Sequence, residues 1–187
     1  GARIASGGGV HAPPARRDPL KILVVEDEAT LRECCLSVLS HEGYEATSCG
    51  RGDDARDLLQ RRGFDIVLLD VHMPHCSGMD LLRSCLQAKP DTLVIMMTGK
   101  PNIESSLEAQ RAGAWDYLPK PFTATHLQIL IGRAEHAVMA ARERQAVDST
   151  RDEKVGHSNG ITLLGKSPAF LRTIKLGRQV DRTDASV

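Results

Sequence analysis

Three short apolar runs constrain this chain more than anything else in it: KILVV (21–25), IVLLD (66–70) and LVIMMTG (93–99). Each is too short for a buried helix, and each stops at an acid or at a threonine and glycine. A strand without polar alternation has both faces covered, which is the habit of parallel sheets with helices on either side. The intervening stretches agree. From Ala29 to His41 the residues Leu31, Cys35, Val38 and Leu39 recur at helical spacing, with Gly43 as a stop. Tyr44 to Ser48 predicts a weaker second strand, and Gly52 to Arg62 a second helix closed by Gly63. Met79 to Ala88 predicts a third helix, with Pro90 beyond it, and Ile103 to Ala112 a fourth, ended by Gly113. WDYL (115–118) predicts a fifth strand, and a long helix starts near Thr123. Such alternation with right-handed crossovers is an open, doubly wound α/β sheet, whose ligands bind beyond the carboxyl ends of the strands.

Bulk properties narrow the setting. In 187 residues, 24 basic and 24 acidic side chains cancel, so no global field points to nucleic acid or to an anionic membrane. No apolar run reaches the roughly 18 residues of a membrane span. Residues 1–19 lack the apolar stretch of a signal peptide and read as a flexible tail, part of it a candidate cloning remnant. The five cysteines, Cys34, Cys35, Cys49, Cys76 and Cys85, form no C-x-x-C pair. An odd count without a secretion signal predicts reduced thiols and a cytoplasmic location.

The strand-end rule directs attention to particular residues. Glu26 and Asp27 follow the first strand, Asp70 closes the third, Thr98 closes the fourth, and Lys120 follows the fifth in LPKPF. Polar residues often follow strands where the chain reaches solvent, but that accounts poorly for three acids, a hydroxyl and an ammonium at the one ligand-binding edge. Clustered carboxylates repel and need a cation. An all-oxygen, incomplete shell suits Mg²⁺, which keeps waters and takes phosphate oxygens. One carboxylate can attack a phosphoryl group to form an aspartyl phosphate, and such transfer needs mainly positioning and charge neutralisation.

The pattern VVEDE…LLDVHMPHCSGMDLL…MMTGK…GAWDYLPKPF resembles the receiver domain of bacterial response regulators, over residues 20–137. The resemblance implies a flavodoxin-like sheet of strand order 2-1-3-4-5. It implies that Asp70 accepts phosphate from a sensor histidine kinase, with catalytic help from Lys120 and Thr98. Asp27 would bind Mg²⁺ directly and Glu26 mostly through water; the acid pair here is Glu-Asp rather than Asp-Asp. Asp70 and the main-chain carbonyl of His72 would complete the metal site. The Lys120–Pro121 bond would be cis, and Thr98 and Tyr117 would form the switch pair. His72 and Lys100 occupy the positions that flank the phosphoryl group, although His72 also reads as an exposed loop residue. Zinc held by His72, His75 and Cys76 is disfavoured, because the loop is too short to close a tetrahedral site.

GITLLGKS (160–167) fits the phosphate-cradling pattern G-x-x-x-x-G-K-[ST] letter for letter. Its surroundings do not. No buried strand precedes Gly160, Ile161 to Leu164 favour extended backbone over an exposed nest of N–H groups, and only twenty residues follow Ser167. Residues 161–187 resemble instead the opening of the AAA+ ATPase domain of sigma-54-dependent activators of the nitrogen-regulation type. Ser167-Pro168 would begin its first helix, and Ala185 to Val187 would enter its first core strand. That implies a piece of a longer receiver–ATPase–DNA-binding protein, joined by a helical or flexible linker over 138–160. DNA and sigma-54 polymerase would be partners of the full-length protein, not of this piece.

Within the long helix, Ala134, Ala137, Val138, Ala141 and Gln145 form a stripe at coiled-coil spacing, and the helix reaches about Val147 without a breaker after Gly132. The expectation is a homodimer through the last receiver helix and linker; a frayed helix leading into a flexible linker is the alternative. Two other functions remain in view: a receiver-like interaction domain that is never phosphorylated, and a flavodoxin- or phosphatase-like enzyme on the same fold. The acids at 26–28 replace the phosphate loop a flavodoxin needs, and His72 replaces the second acid a phosphatase wants. The preferred reading is therefore no enzyme in the ordinary sense, only a domain that catalyses its own phosphorylation and dephosphorylation. Calorimetry with Mg·ATP should be silent with or without Lys166→Ala; a saturable signal lost in that variant would restore the phosphate-loop reading.

Overall fold

The structure, a computed structural model, describes residues 18–158. Its elements are β1 (Lys21–Val25), α1 (Ala29–His41), β2 (Glu45–Cys49), α2 (Gly52–Arg61), β3 (Ile66–Asp70), β4 (His72–Met73), β5 (Cys76–Ser77), α3 (Gly78–Ala88), β6 (Leu93–Thr98), α4 (Ile103–Arg111), β7 (Asp116–Pro119) and α5 (Ala124–Ser158). Five strands form a parallel sheet in the order β2-β1-β3-β6-β7, which is the expected 2-1-3-4-5 once the short β4–β5 ribbon is set aside. That antiparallel ribbon, His72 opposite Ser77, lies in the stretch after Asp70 and is too short to leave a sequence pattern.

Alternate residues of each central strand serve the two faces. Ile22, Val24, Ile66, Leu68, Ile95 and Met97 pack with Cys35 and Leu39 of α1 and with Leu127, Leu130 and Ile131 of α5. Leu23, Val25, Val67, Leu69, Val94 and Met96 pack with Ala55 and Leu59 of α2, Leu81 and Leu82 of α3, and Ala109 of α4. Both faces are dry because helices cover both, so the strands have no polar alternation to show. α4 buries only Ala109. Asn102 caps it, its Oδ1 accepting from the Ser105 N–H at 2.7 Å.

Boundaries moved by a residue or so: β2 ends at Cys49 and β7 begins at Asp116. α5 departs further from expectation and runs to Ser158, past Val147, because 148–155 contains no glycine or proline. The dimer stripe needs correction. Ala134 and Val138 are buried in the receiver's own core, so they are not free to meet a second copy; Ala137 and Ala141 are half-buried and Gln145 is exposed. The chain divides into two units after Ala140, inside α5. The phosphate-loop look-alike at 160–167, the ATPase-like stretch 161–187 and residues 1–17 of the tail lie outside the described residues. Among the described residues, no helix is long and apolar enough to cross a membrane.

All five cysteines are free thiols. Burial pushes Cys35 and Cys49 up to about 11 and Cys85 up to about 12, which keeps them protonated and unreactive. Cys34 is exposed and Cys76 half-buried. A chromogenic disulfide reagent should therefore modify Cys34 first and Cys76 second in the native protein. The other three should react only in denaturant, and their fast labelling in buffer would contradict this packing.

Candidate functional site

At the carboxyl edge of the sheet, β1 and β3 lie side by side with Val25 opposite Leu69, so the residues that follow them meet. Glu26 prolongs the pairing with β2, its N–H donating to the Cys49 carbonyl at 3.1 Å, and its side chain is almost wholly buried. Glu26 Oε1 accepts from the Glu28 N–H at 3.1 Å. Asp70 is 4% exposed, and its Oδ1 accepts from the His72 N–H at 2.9 Å. Gly78, the first residue of α3, allows this close packing, because a Cβ there would lie 2.8 Å from the Asp70 carbonyl oxygen and 2.6 Å from that of Val71.

The cation of the cluster comes from the far side of the sheet. Lys120 follows β7, and its N–H donates to the Thr98 carbonyl at 2.6 Å. The Lys120–Pro121 bond is cis. Lys120 Nζ donates to Glu26 Oε2 at 2.5 Å and to Asp70 Oδ2 at 3.0 Å. Burial alone would lower its pKa, but hydrogen bonds and charge from Glu26 and Asp70 outweigh that and hold it above 10.5. Burial raises the Glu26 carboxyl, helped by the Asp70 charge and opposed by Lys120 and the Glu28 N–H. Glu26, Asp27 and Asp70 bring carboxylate oxygens within 4.8 Å of one another, with Asp27 exposed.

Thr98, fully buried at the end of β6, accepts the Lys100 N–H on its Oγ1 at 3.1 Å. Tyr117 is half-buried on β7, and its hydroxyl lies 3.2 Å from Ser105 Oγ on α4. His72 is exposed, with its N–H on Asp70. Among the described residues, His72, His75 and Cys76 form no cluster of metal-ligand spacing. Two neighbours of the site had no signature in the sequence. Ser105 was one serine of several, and Arg32 read as an ordinary polar position of α1, yet it reaches back to the turn that carries the acids.

The donor set fits a hard divalent cation. It is all oxygen, one carboxylate is open to water for the remaining positions, and three carboxylates less one ammonium leave two negative charges for such an ion to meet. The arrangement would also suit a phosphoryl group, whose oxygens need cations on several sides.

Residues 22–131 match the family described as "Response regulator receiver domain". Among curated relatives, the DNA-binding transcriptional regulator NtrC of Bradyrhizobium sp. is 30% identical over 89% of this chain and 33% of its own length. Among solved structures, NtrX of Brucella abortus aligns with TM-score 0.65 at 30% identity, covering 84% of this chain and 34% of that one. A response regulator receiver domain protein of Clostridium thermocellum aligns with TM-score 0.60 at 32% identity, covering 65% of this chain and 98% of that one. The chain spans about a third of the length of NtrC and of the alginate biosynthesis regulator AlgB, which it also matches.

Removing Lys120 leaves two buried carboxylates facing each other. Lys120→Met should destabilise the metal-free protein by about 2 kcal/mol. Adding Glu26→Gln should recover part of the loss, a coupling that a double-mutant cycle reads directly. Because the Lys120 pKa is raised, its contribution is fully present well below pH 10.5 and fades as pH climbs through the higher folded value. Urea titrations at pH 7 showing equal stability for wild type and Lys120→Met would refute the coupling.

Proposed function

The chain belongs to the response regulator receiver family, and we propose that it is a phosphorylation-controlled signalling domain in which Asp70 accepts a phosphoryl group from a sensor histidine kinase. The observation that carries this reading is the Lys120 ammonium shared between Glu26 and Asp70, beside an exposed Asp27. The Asp70 carboxylate would attack phosphorus, forming an Oδ–P bond as the bond to the donor's imidazole nitrogen or acyl oxygen breaks and that group leaves with the electron pair. Lys120 is already within hydrogen-bond distance of Asp70, so it can hold an oxygen of the incoming group without a large movement. The Thr98 hydroxyl, whose oxygen accepts the Lys100 N–H, has its own O–H with which it would donate to another phosphoryl oxygen. Mg²⁺ held by Asp27, Asp70 and the His72 carbonyl, with Glu26 acting mostly through water, would supply charge neutralisation.

Thr98 and Tyr117 form the proposed switch. When the Thr98 hydroxyl turns to the phosphoryl group, the Tyr117 ring turns inward and its contact with Ser105 is given up. Similarity to NtrC supports an output in transcription, with DNA and sigma-54 polymerase engaged by other parts of a longer protein. The proposed homodimer would use the part of α5 that the core leaves open, around Ala137, Ala141 and Gln145.

Two measurements test this. With acetyl phosphate and Mg²⁺, intact-mass spectra should show one added phosphate on wild type and on Thr98→Ala, and none on Asp70→Asn or in EDTA. Equal labelling of Asp70→Asn would defeat the assignment, and no labelling of wild type would favour an interaction domain that is never phosphorylated. For the dimer, light scattering at tens of micromolar should give the mass of two chains for residues 1–187 and of one chain for a version ending at Ala140, which keeps the buried Ala134 and Val138; the same oligomeric state for both would exclude the helix beyond Ala140 as the interface.

A further inference from the structure

The turn from Glu26 to Glu28 joins β1 to α1 with three consecutive acids. It has no apolar side chain with which to anchor itself, and two of its carboxylates must stay close to a third, Asp70, against mutual repulsion. Arg32 supplies what the turn lacks. It lies in the first part of α1, half-buried, and its Nη1 donates to the main-chain carbonyls of Glu26 at 2.8 Å and of Asp27 at 3.3 Å. These two peptide groups directly follow the two acids. Holding them sets the backbone from which both side chains spring, and it withdraws two hard oxygens that would otherwise compete for a divalent cation. A guanidinium suits the task because it is planar, permanently charged and forms charge-assisted hydrogen bonds.

The opposite wall is shaped to admit it. Gly50, the residue after β2, has a backbone outside the left-handed region, so its own conformation does not demand glycine. A Cβ at that position would sit 2.8 Å from Arg32 Nη1 and 3.4 Å from its Cζ, whereas the Glu26 carbonyl oxygen would be at an ordinary 3.6 Å. A side chain at 50 would therefore displace the guanidinium from its place against the acid turn.

We propose that Arg32 is a positioning residue for the divalent-cation site, holding the Glu26–Asp27 backbone in the ion-binding arrangement, with Gly50 as the space that lets it do so. This rests on the divalent-cation reading given above. Charge and position make opposite predictions here. A nearby cation repels Mg²⁺, so if Arg32 acted only through its charge, its removal would tighten binding; if it acts by position, removal weakens binding.

The test is Mg²⁺ affinity of the full chain by calorimetry, with thermal midpoints in EDTA to confirm folding. Arg32→Met and Gly50→Ala should each weaken Mg²⁺ roughly tenfold or more, as loss of groups that orient metal ligands does. The double variant should be no weaker than the poorer single, because both changes remove the same contact. Gly50→Ala leaves Arg32 in place chemically and keeps the test valid should Arg32→Met not fold. Affinity unchanged or tighter in the folded single variants, or effects that add in the double, would overturn the inference. If wild type binds no Mg²⁺ at all, the divalent-cation reading falls and this inference with it; if wild type binds and the variants match it, only the inference falls.

Discussion

One ammonium group makes this site possible. Glu26 and Asp70 leave adjacent parallel strands at the same edge, so the fold forces two nearly buried carboxylates together. Lys120 reaches both from the loop after the last strand of the sheet. Burial, the carboxylate pair and the ammonium depend on each other. Without Lys120 the acids would hold uncompensated charge in a poorly solvated place, and without the acids the ammonium would be unpaired at 18% side-chain exposure. The pair nevertheless leaves negative charge over, and that excess suits the edge to a further positive charge.

The sheet earns its role by being dry. Residues of β1, β3 and β6 alternate between two apolar layers, and polar side chains appear only where the strands end. The polar groups gather at that edge because only there does the chain leave the apolar layers while the ladder still fixes its backbone. Thr98 shows the same economy: its carbonyl holds Lys120 N–H, and its hydroxyl holds Lys100 N–H at the mouth of the site. α4, which buries a single alanine and touches the site through the Ser105–Tyr117 contact, is the element of this edge with the least packing to resist movement.

Most of the fold and the acidic residues could be read from the chain alone, for a physical reason. A strand covered on both faces must be apolar throughout, and a parallel crossover must be long enough to hold a helix. Those two requirements print themselves as runs such as IVLLD separated by helical periods. The end of α5 was less legible, since helix-forming residues continue past Val147 without a stop. The helix stripe misled more instructively. Spacing puts Ala134 and Val138 on one face, but spacing cannot say whether that face meets a partner or the protein's own sheet.

What the sequence determined by itself is therefore the class of sheet, the edge at which polar side chains gather, and the identity of the acids, the threonine and the lysine there. What only the tertiary structure decided is who holds whom. Lys120 bonds Glu26 as well as Asp70, Tyr117 rests on Ser105, and Arg32 clasps the main chain of the acid turn beneath Gly50. Residue type and period record which side of an element is buried, because burial acts on each residue separately. Pairings between residues far apart in the chain depend on how strands and helices are finally stacked, and one sequence carries no local mark of that.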